Sequence, residues 1–399
     1  MANRREFLFA SGAAALATTS LPQIGRAAPD SSKQFRMGVV GGGFGATFHF
    51  HEHPNCTVAA VTDLLEDRRQ LLKSHYRCDS VYDSLDEMLK QSGKLDAVAI
   101  FSGALDHYKH VALCMKNGLH VISACPAVFT LEEAHQLKEL KERTGLKYMM
   151  AESSYYRNHA IYAREAFSKG KFGELFYYEV EYYHDAGERL DLEKNKKSRL
   201  YKPDGSFSWR YGYPPMHYPT HSLGYVVGIS KERIESVSCL GWGQAASQQL
   251  KNNQYGNPFW NESALMRTNR GHIVRCNVFW CVGTTEERAQ WFGDQGTLYM
   301  SNTGFHGDTW KDLRKKAEPI QIPEYWKSEM LPAPMRHASG HGGSAAFISA
   351  EFINALVENR EPAIDVYESL AMTVPGIVAH LSALKNGEQL KVPQFERKA

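Results

Sequence analysis

Gly41-Gly42-Gly43-Phe44-Gly45-Ala46 follows a short apolar run, Met37-Gly38-Val39-Val40, and Asp63 closes a second run, Val58-Ala59-Ala60-Val61. Glycines after one strand and an acid after the next, about 20 residues on, are what binding a dinucleotide requires. Gly41 makes the tight turn, Gly43 lets the backbone approach a pyrophosphate, and Ala46 lets the following helix pack on the strand, with Phe44 and Gly45 completing the turn. The phosphates then meet free N–H groups at a helix N-terminus. Asp63 accepts from ribose hydroxyls and repels a 2′-phosphate, so NAD is expected over NADP; Arg68 and Arg69 weaken that preference slightly. A glycine-rich turn before some other helix is the plainer reading, and the strand context with the placed acid weighs against it.

The elements that position this turn are legible on both sides of it. Strand candidates Arg36–Val40, Val58–Thr62, Ala97–Phe101, His120–Ser123 and Lys147–Ala151 alternate with helices. Ser84-Leu85-Asp86-Glu87 and Thr130-Leu131-Glu132-Glu133 read as capping boxes, and Gly118 and Gly145 fall where helix C-caps belong. Alternating strands and helices imply an α/β Rossmann domain over 34–152, with the ligand beyond the strand C-termini. After Glu152 the pattern changes. One helix, Asn158 to Lys169, is followed by strand-like alternation in Glu174–His184, Ser236–Trp242, Ile273–Trp280 and around Gly296–Met300. Helical patterns close the chain at Ala346–Glu358 and Val366–Leu384. Residues 153–399 therefore read as an α+β domain on an open, mostly antiparallel sheet, carrying the substrate and the contacts of a homo-oligomer. The polar stretches 185–215 and 303–343 are long enough to be functional or subunit-contacting.

The N-terminus carries a separate signal. Asn3-Arg4-Arg5-Glu6-Phe7-Leu8, a short weakly apolar stretch to Leu21 and Gly25-Arg26-Ala27 form a twin-arginine export signal over residues 1–30, too short for a confident membrane span. A periplasmic or extracytoplasmic enzyme is expected, with no membrane span in the mature chain. A net charge of +2 leaves no electrostatic footprint for nucleic acid. The seven cysteines are scattered and odd in number, which gives neither a disulfide framework nor a zinc site. No spacing among the 17 histidines requires a metal, and none is expected.

With these residues in view, the chain resembles the Gfo/Idh/MocA oxidoreductases over its whole mature length. Members usually carry a Glu-Lys-Pro motif after the fifth strand, where this chain reads Ser123-Ala124-Cys125-Pro126-Ala127; the usual Asp-x-Gly-x-His is here His217-Tyr218-Pro219-Thr220-His221. Both departures resemble one branch, glycoside hydrolase family 109, the NAD-dependent α-N-acetylgalactosaminidases. Its motifs match Pro126-Ala127-Val128-Phe129-Thr130, Glu152 at the end of the sixth strand, Tyr182-Tyr183-His184-Asp185, Tyr218 to Gly224, and Gly340-His341-Gly342-Gly343.

The resemblance implies a redox-neutral cleavage of a glycoside. NAD takes hydride from C3 of the sugar, the ketone acidifies C2–H, a base removes that proton and expels the C1 substituent, water adds, and the hydride returns. Tyr182 is then the C2 base; ionising a free tyrosine at pH 7 costs about 4 kcal/mol, so it needs help from His184 or Arg210. His221 is to accept the C3 hydroxyl proton, and Tyr218 to orient sugar hydroxyls from the same helical face. His184, Arg210 and Thr220 are expected at the substrate; Ser102, His107, Cys125 and Glu152 join the glycine turn and Asp63 at the cofactor. His107 reads equally as the first turn of a helix, and Trp260 as a sugar platform or a cover on the core. A net sugar dehydrogenase and a non-catalytic sugar- or nucleotide-binding protein are the alternatives. Export disfavours the dehydrogenase, because no NAD(H) pool is maintained outside the cytoplasm.

Overall fold

Short runs buried on both faces build the first sheet of the computed structural model, which describes residues 33–244, 247–301 and 306–397. The expected export signal lies outside the described residues. β1 (Phe35–Val40), β2 (Cys56–Thr62), β3 (Val81–Tyr82), β4 (Ala97–Ile100), β5 (His120–Ala124) and β6 (Tyr148–Ala151) pair in parallel in the order β3-β2-β1-β4-β5-β6. Every residue of β4 and β6 is buried, as a parallel sheet flanked by helices requires. Strand order reverses between β1 and β4, where the crevice for a ligand opens.

The helices of this half are α1 (Gly42–Gly45), α2 (Glu66–Tyr76), α3 (Leu85–Gln91), α4 (His107–Lys116) and α5 (Leu131–Thr144). At α5 Thr130 and Glu133 form the reciprocal capping box. At α3 Ser84 accepts from the Glu87 amide, but the Glu87 carboxylate reaches back one residue further, to the Asp83 amide at 3.2 Å. The helix after the glycine turn corrects an expectation: it is one turn long. Gly42 and Gly45, three apart and on one face, are its buried residues. A Cβ on Gly45 would lie 3.1 Å from both Val39 and Phe101 side chains, so Gly45 supplies the close packing expected of Ala46, which is the half-buried C-cap.

The second sheet comprises β7 (Leu175–Asp185), β8 (Ile234–Trp242), β9 (Asn261–Thr268), β10 (Ile273–Val282), β11 (Glu286–Gly293), β12 (Gly296–Tyr299), β13 (Thr309–Asp312), β14 (Glu318–Pro319) and β15 (Leu390–Lys391). Their order is β14-β13-β12-β11-β7-β10-β9-β8-β15; only β7 and β10 run parallel. β9 and β11 escaped the sequence reading because Glu262, inside β9, and Glu287, inside β11, face inward and invert the apolar alternation. The inner face packs on α8 (Thr220–Ser230) and α11 (Val366–Leu384), while Leu240, Trp242 and Leu265 are exposed on the other side.

The remaining helices are α6 (Asn158–Ser168), α7 (Ala186–Lys194), α9 (Gln248–Lys251) and α10 (Ser344–Val357). α7 falls in a stretch expected to be loop; the Asp185 carboxylate caps it, accepting from Gly187 and Glu188. α10 is buried along its whole length and anchors the halves to each other: Ser349 accepts from the His49 amide at 3.0 Å, and Ile364, in the link to α11, accepts from Met150 of β6 at 3.1 Å. One hydrophobic core runs through both sheets. Gly376 of α11 sits where any Cβ would come within 2.0 Å of the Met216 carbonyl, so glycine there lets the segment before α8 lie directly on α11. Among the described residues no helix is long and apolar enough to cross a membrane.

Candidate active site

Two elements from different halves meet at a buried ion pair. Glu152 follows β6 and is wholly buried; His221 stands in the first turn of α8, after Pro219 at the N-cap. His221 Nδ1 donates to the Glu152 carboxylate at 2.8 and 2.9 Å, and the Ser154 amide donates to the same group at 2.9 Å. Burial alone would raise the Glu152 pKa, but the imidazolium and these hydrogen bonds hold it at about 2. Burial would likewise lower His221, yet the adjacent carboxylate lifts it well above 6.5. Glu152 was expected at the cofactor; its carboxylate is engaged by His221, because β6 ends where α8 begins. Thr220, expected at the substrate, is wholly buried beside this pair and faces away from the cavity.

Around His221 the rings converge. Tyr182 on β7 approaches it edge-on at 4.6 Å between centroids, with Tyr218 5.0 Å from His221 and 6.0 Å from Tyr182. Tyr218 precedes α8, at the end of a 3-10 turn (Pro215–His217), so it reaches His221 from outside the helix and not along a shared face. Cys125 lies under both, its Sγ 3.6 Å from the Tyr218 hydroxyl and 4.0 Å from His221 Nδ1. Burial pushes the Tyr182 phenol up to about 12, with the His221 charge pulling the other way. His184, edge-on to Tyr182 at 4.9 Å, was expected to lend it a cation; burial and the neighbouring arginines hold His184 at about 4, so it is neutral and the cation is His221.

These rings line a cavity of about 210 Å³ whose far wall is Phe44 of the glycine turn and His341. Arg189, Arg199 and Arg210 occupy its mouth. Arg199 pairs with Glu188 at 2.9 Å; Arg189 donates to Gln249 and lies 4.5 Å over Trp260; Arg210 stacks on Trp209 at 4.1 Å and has no carboxylate partner among the described residues. Trp260 is thus a buried platform for Arg189 and not for a sugar. The sequence reading missed Arg189, Arg199, Trp209 and Trp280 as cavity residues; the length of the 185–215 stretch was the only signal for the first three, and Trp280, on β10, had none.

The glycine turn fits a dinucleotide. Gly41 has φ +97°, and a Cβ there would lie 2.3 Å from the Phe101 carbonyl, whereas at Gly43 nothing comes nearer than 3.5 Å, the Arg68 side chain, so a backbone cradle stays open. The Asp63 carboxylate accepts from the Gly42 and Leu65 amides at 2.7 and 2.9 Å, which fixes it at the edge of the turn. Arg69 is engaged by Glu66 and by the Asp63 carbonyl. Ser102 stands at the end of β4, hydrogen-bonded to His110 at 2.9 Å. His107 is corrected: it is buried, with its ring nitrogens 2.8 and 3.1 Å from the Pro126 and Ser102 carbonyls, a strut between two loops and not a surface for a cofactor.

His221 is accordingly expected as imidazolium at pH 7.5, read from its ring ¹⁵N shifts. Its contribution to stability is complete below the ordinary 6.5 and fades as pH rises through its elevated value; that of Glu152 is complete above 4.5 and fades as pH falls toward 2. Glu152→Gln should bring the His221 titration below neutral. A neutral His221 ring at pH 7.5 in the unaltered protein would overturn the ion pair.

Known proteins share both halves of this fold. The family described as "Oxidoreductase family, NAD-binding Rossmann fold" (Gfo/Idh/MocA) matches residues 35–152, and "Glycosyl hydrolase 109, C-terminal domain" matches residues 279–399. A glycosyl hydrolase family 109 protein of Streptomyces filamentosus is 26% identical, aligned over 91% of this chain and 77% of its own; one from Solibacter usitatus is 24% identical over 91% and 88%. The fold is shared with levoglucosan dehydrogenase in complex with NADH and L-sorbose (TM-score 0.75, 13% identity, 91% of this chain and 100% of that one). It is shared too with scyllo-inositol dehydrogenase from Lactobacillus casei with bound NAD(H) and scyllo-inositol (TM-score 0.68, 16% identity, 90% and 99%). The chain joins a Gfo/Idh/MocA NAD-binding domain to a glycosyl hydrolase 109 C-terminal domain, is similar to glycosyl hydrolase family 109 proteins over most of its length, and is an NAD-dependent, sugar-acting enzyme.

Proposed function

We propose that this enzyme cleaves glycosides by a redox-neutral cycle outside the cytoplasm. The observation that carries the reading is the convergence of Tyr182, Tyr218 and His221 on one cavity that the glycine turn also borders. The Gly41–Gly45 turn, Asp63 and Ser102 would hold NAD, which when bound would supply an acceptor and later a donor of hydride for C3 of the sugar. Tyr182 moves the C2 proton. It accepts only as phenolate, so its own proton must first leave to solvent at a cost of roughly 7 kcal/mol at pH 7 from its value of about 12, a value the His221 charge already holds down; the C2 proton then passes to the phenolate as the C1 substituent departs. His221 at rest is imidazolium: it holds the C3 oxygen, loses its Nε2 proton to solvent, accepts the C3 hydroxyl proton as hydride leaves, and returns that proton when the hydride comes back. Tyr218 orients the sugar hydroxyls.

Three arginines at the mouth, with Arg210 free of any carboxylate among the described residues, favour a glycoside that carries an anionic group such as a carboxylate or a sulfate ester. The paired arginines at positions 4 and 5 support export by the twin-arginine route. The exposed Leu240, Trp242 and Leu265 support a homo-oligomer joined through the outer sheet face.

Tyr182→Phe keeps the ring and its packing, and should lower glycosidic cleavage by about 10²- to 10⁴-fold while bound NAD is still reduced on adding substrate, read at about 340 nm. A panel of chromogenic substrates should pair neutral glycosides with uronides and sulfated sugars. Cleavage without solvent deuterium appearing at C2 would exclude elimination, and turnover confined to neutral substrates would remove the anion. Arg4→Lys with Arg5→Lys should leave the protein in the cytoplasmic fraction; undiminished export would refute the route. Leu265→Glu should lower the mass in light scattering, and an unchanged mass would place the contact elsewhere.

A further inference from the structure

Away from the cavity, the fold gathers histidines from distant parts of the chain. The 3-10 turn Phe50–Glu52 of the first domain meets the segment preceding α10, so that His337 Nε2 lies 2.6 Å from one Glu52 oxygen and His49 Nδ1 3.2 Å from the other. One donor atom from each of the three residues lies within 4.8 Å of the other two. The rings of His49 and His337 stand 4.7 Å apart, and His75 flanks His49 at 5.8 Å. Positions 49 and 52 are neighbours on one turn, but His337 is 285 residues from Glu52, so sequence spacing could not reveal the set.

We propose that His49, Glu52 and His337 bind one divalent cation of the zinc class. Donors held tetrahedrally at about 2.0–2.1 Å from zinc lie about 3.3 Å from one another; the histidine nitrogens lie 2.6 and 3.2 Å from opposite oxygens of Glu52, and one donor atom of each residue lies within 4.8 Å of the others, so side-chain rotations that bring the donors up to about 1.5 Å closer gather the set around one ion. Two imidazole nitrogens with one carboxylate oxygen suit zinc, cobalt or nickel, whereas magnesium and calcium take oxygen donors. Three protein donors leave a fourth position for solvent, and the His337 side chain is 38% exposed, so an ion can reach the set. The consequence is mechanical. The ion ties the first domain to a segment four residues before His341, which forms a wall of the catalytic cavity, and so holds that wall against Phe44, whose ring meets His341 edge-on at 5.4 Å. The competing arrangement is a plain hydrogen-bonded trio in which both histidines donate to Glu52.

Titration decides between them. Untagged full-length protein, stripped with chelator and dialysed, is titrated with Zn²⁺ by calorimetry and with Co²⁺ by visible absorption. One equivalent of Zn²⁺ and the intense visible bands of tetrahedral Co²⁺ are expected in the unaltered protein and in Cys125→Ser, which disables the buried Cys125, Glu152 and His221 cluster; both signals should be lost in Glu52→Gln and in His337→Ala. Zn²⁺ should also slow proteolysis within 328–343 of the unaltered chain alone. Glu52→Gln keeps the side-chain shape and decides the matter if His337→Ala fails to fold. Absence of a stoichiometric equivalent, or an equivalent that survives Glu52→Gln, would overturn the site.

Discussion

A carboxylate and an imidazolium, Glu152 and His221, are buried together, and the two halves of the molecule depend on that pairing. Each charge alone would cost several kcal/mol to bury, and removing one partner of such a pair typically costs about 3–5 kcal/mol. Glu152 belongs to the end of the first sheet and His221 to a helix laid on the second, so the pair fixes one domain against the other at the point where chemistry occurs. The close approach is made possible by small residues. A Cβ on Gly224 of α8 would lie 2.1 Å from the Ser154 hydroxyl oxygen, and Gly376 lets the chain before Tyr218 lie on α11. Larger side chains at either place would separate the carboxylate from the imidazole.

The pair also sets the charge of the cavity. With His221 cationic and His184 neutral, the floor beside Tyr182 holds one fixed positive charge, balanced from beneath by Glu152. The mouth adds three guanidiniums against Asp185 and Glu188, of which Asp185 is spent on capping α7 and Glu188 on Arg199. The result is a site with positive charge at both ends and phenols between. This suits a proton removed from carbon, since the phenolate that Tyr182 must become to accept it is met by the His221 charge without water having to reorganise.

Much of the first domain was legible in the sequence because its signals are local. Buried apolar runs mark β1, β2, β4, β5 and β6, the Thr130 and Glu133 capping box starts α5, and Gly145 in the left-handed conformation ends it. The second domain was less legible. Inward-facing Glu262 and Glu287 hide the alternation of β9 and β11, and each is satisfied only by groups far away in the chain: Met216 and His380 for Glu262, Arg157 and Tyr225 for Glu287. A buried charge looks like a surface residue until its partner is known.

The candidate site divides along the same line. By themselves the residues determined a glycine turn that binds a dinucleotide, an acid at the end of the next strand, and the Tyr182 and His221 segments that the resemblance brings to the chemistry. Residue type and spacing suffice there, since backbone conformation and strand periodicity are set by near neighbours. Tertiary structure alone decided that Glu152 pairs with His221, that His107 is a strut, that His184 carries no charge, that Gly45 makes the contact expected of Ala46, and that Arg189, Arg199 and Arg210 share one mouth. Each of these turns on burial, or on a partner that only folding brings close. Desolvation and the field of a neighbouring charge are properties of the packed interior, and no position in the chain carries them until the two sheets have closed upon each other.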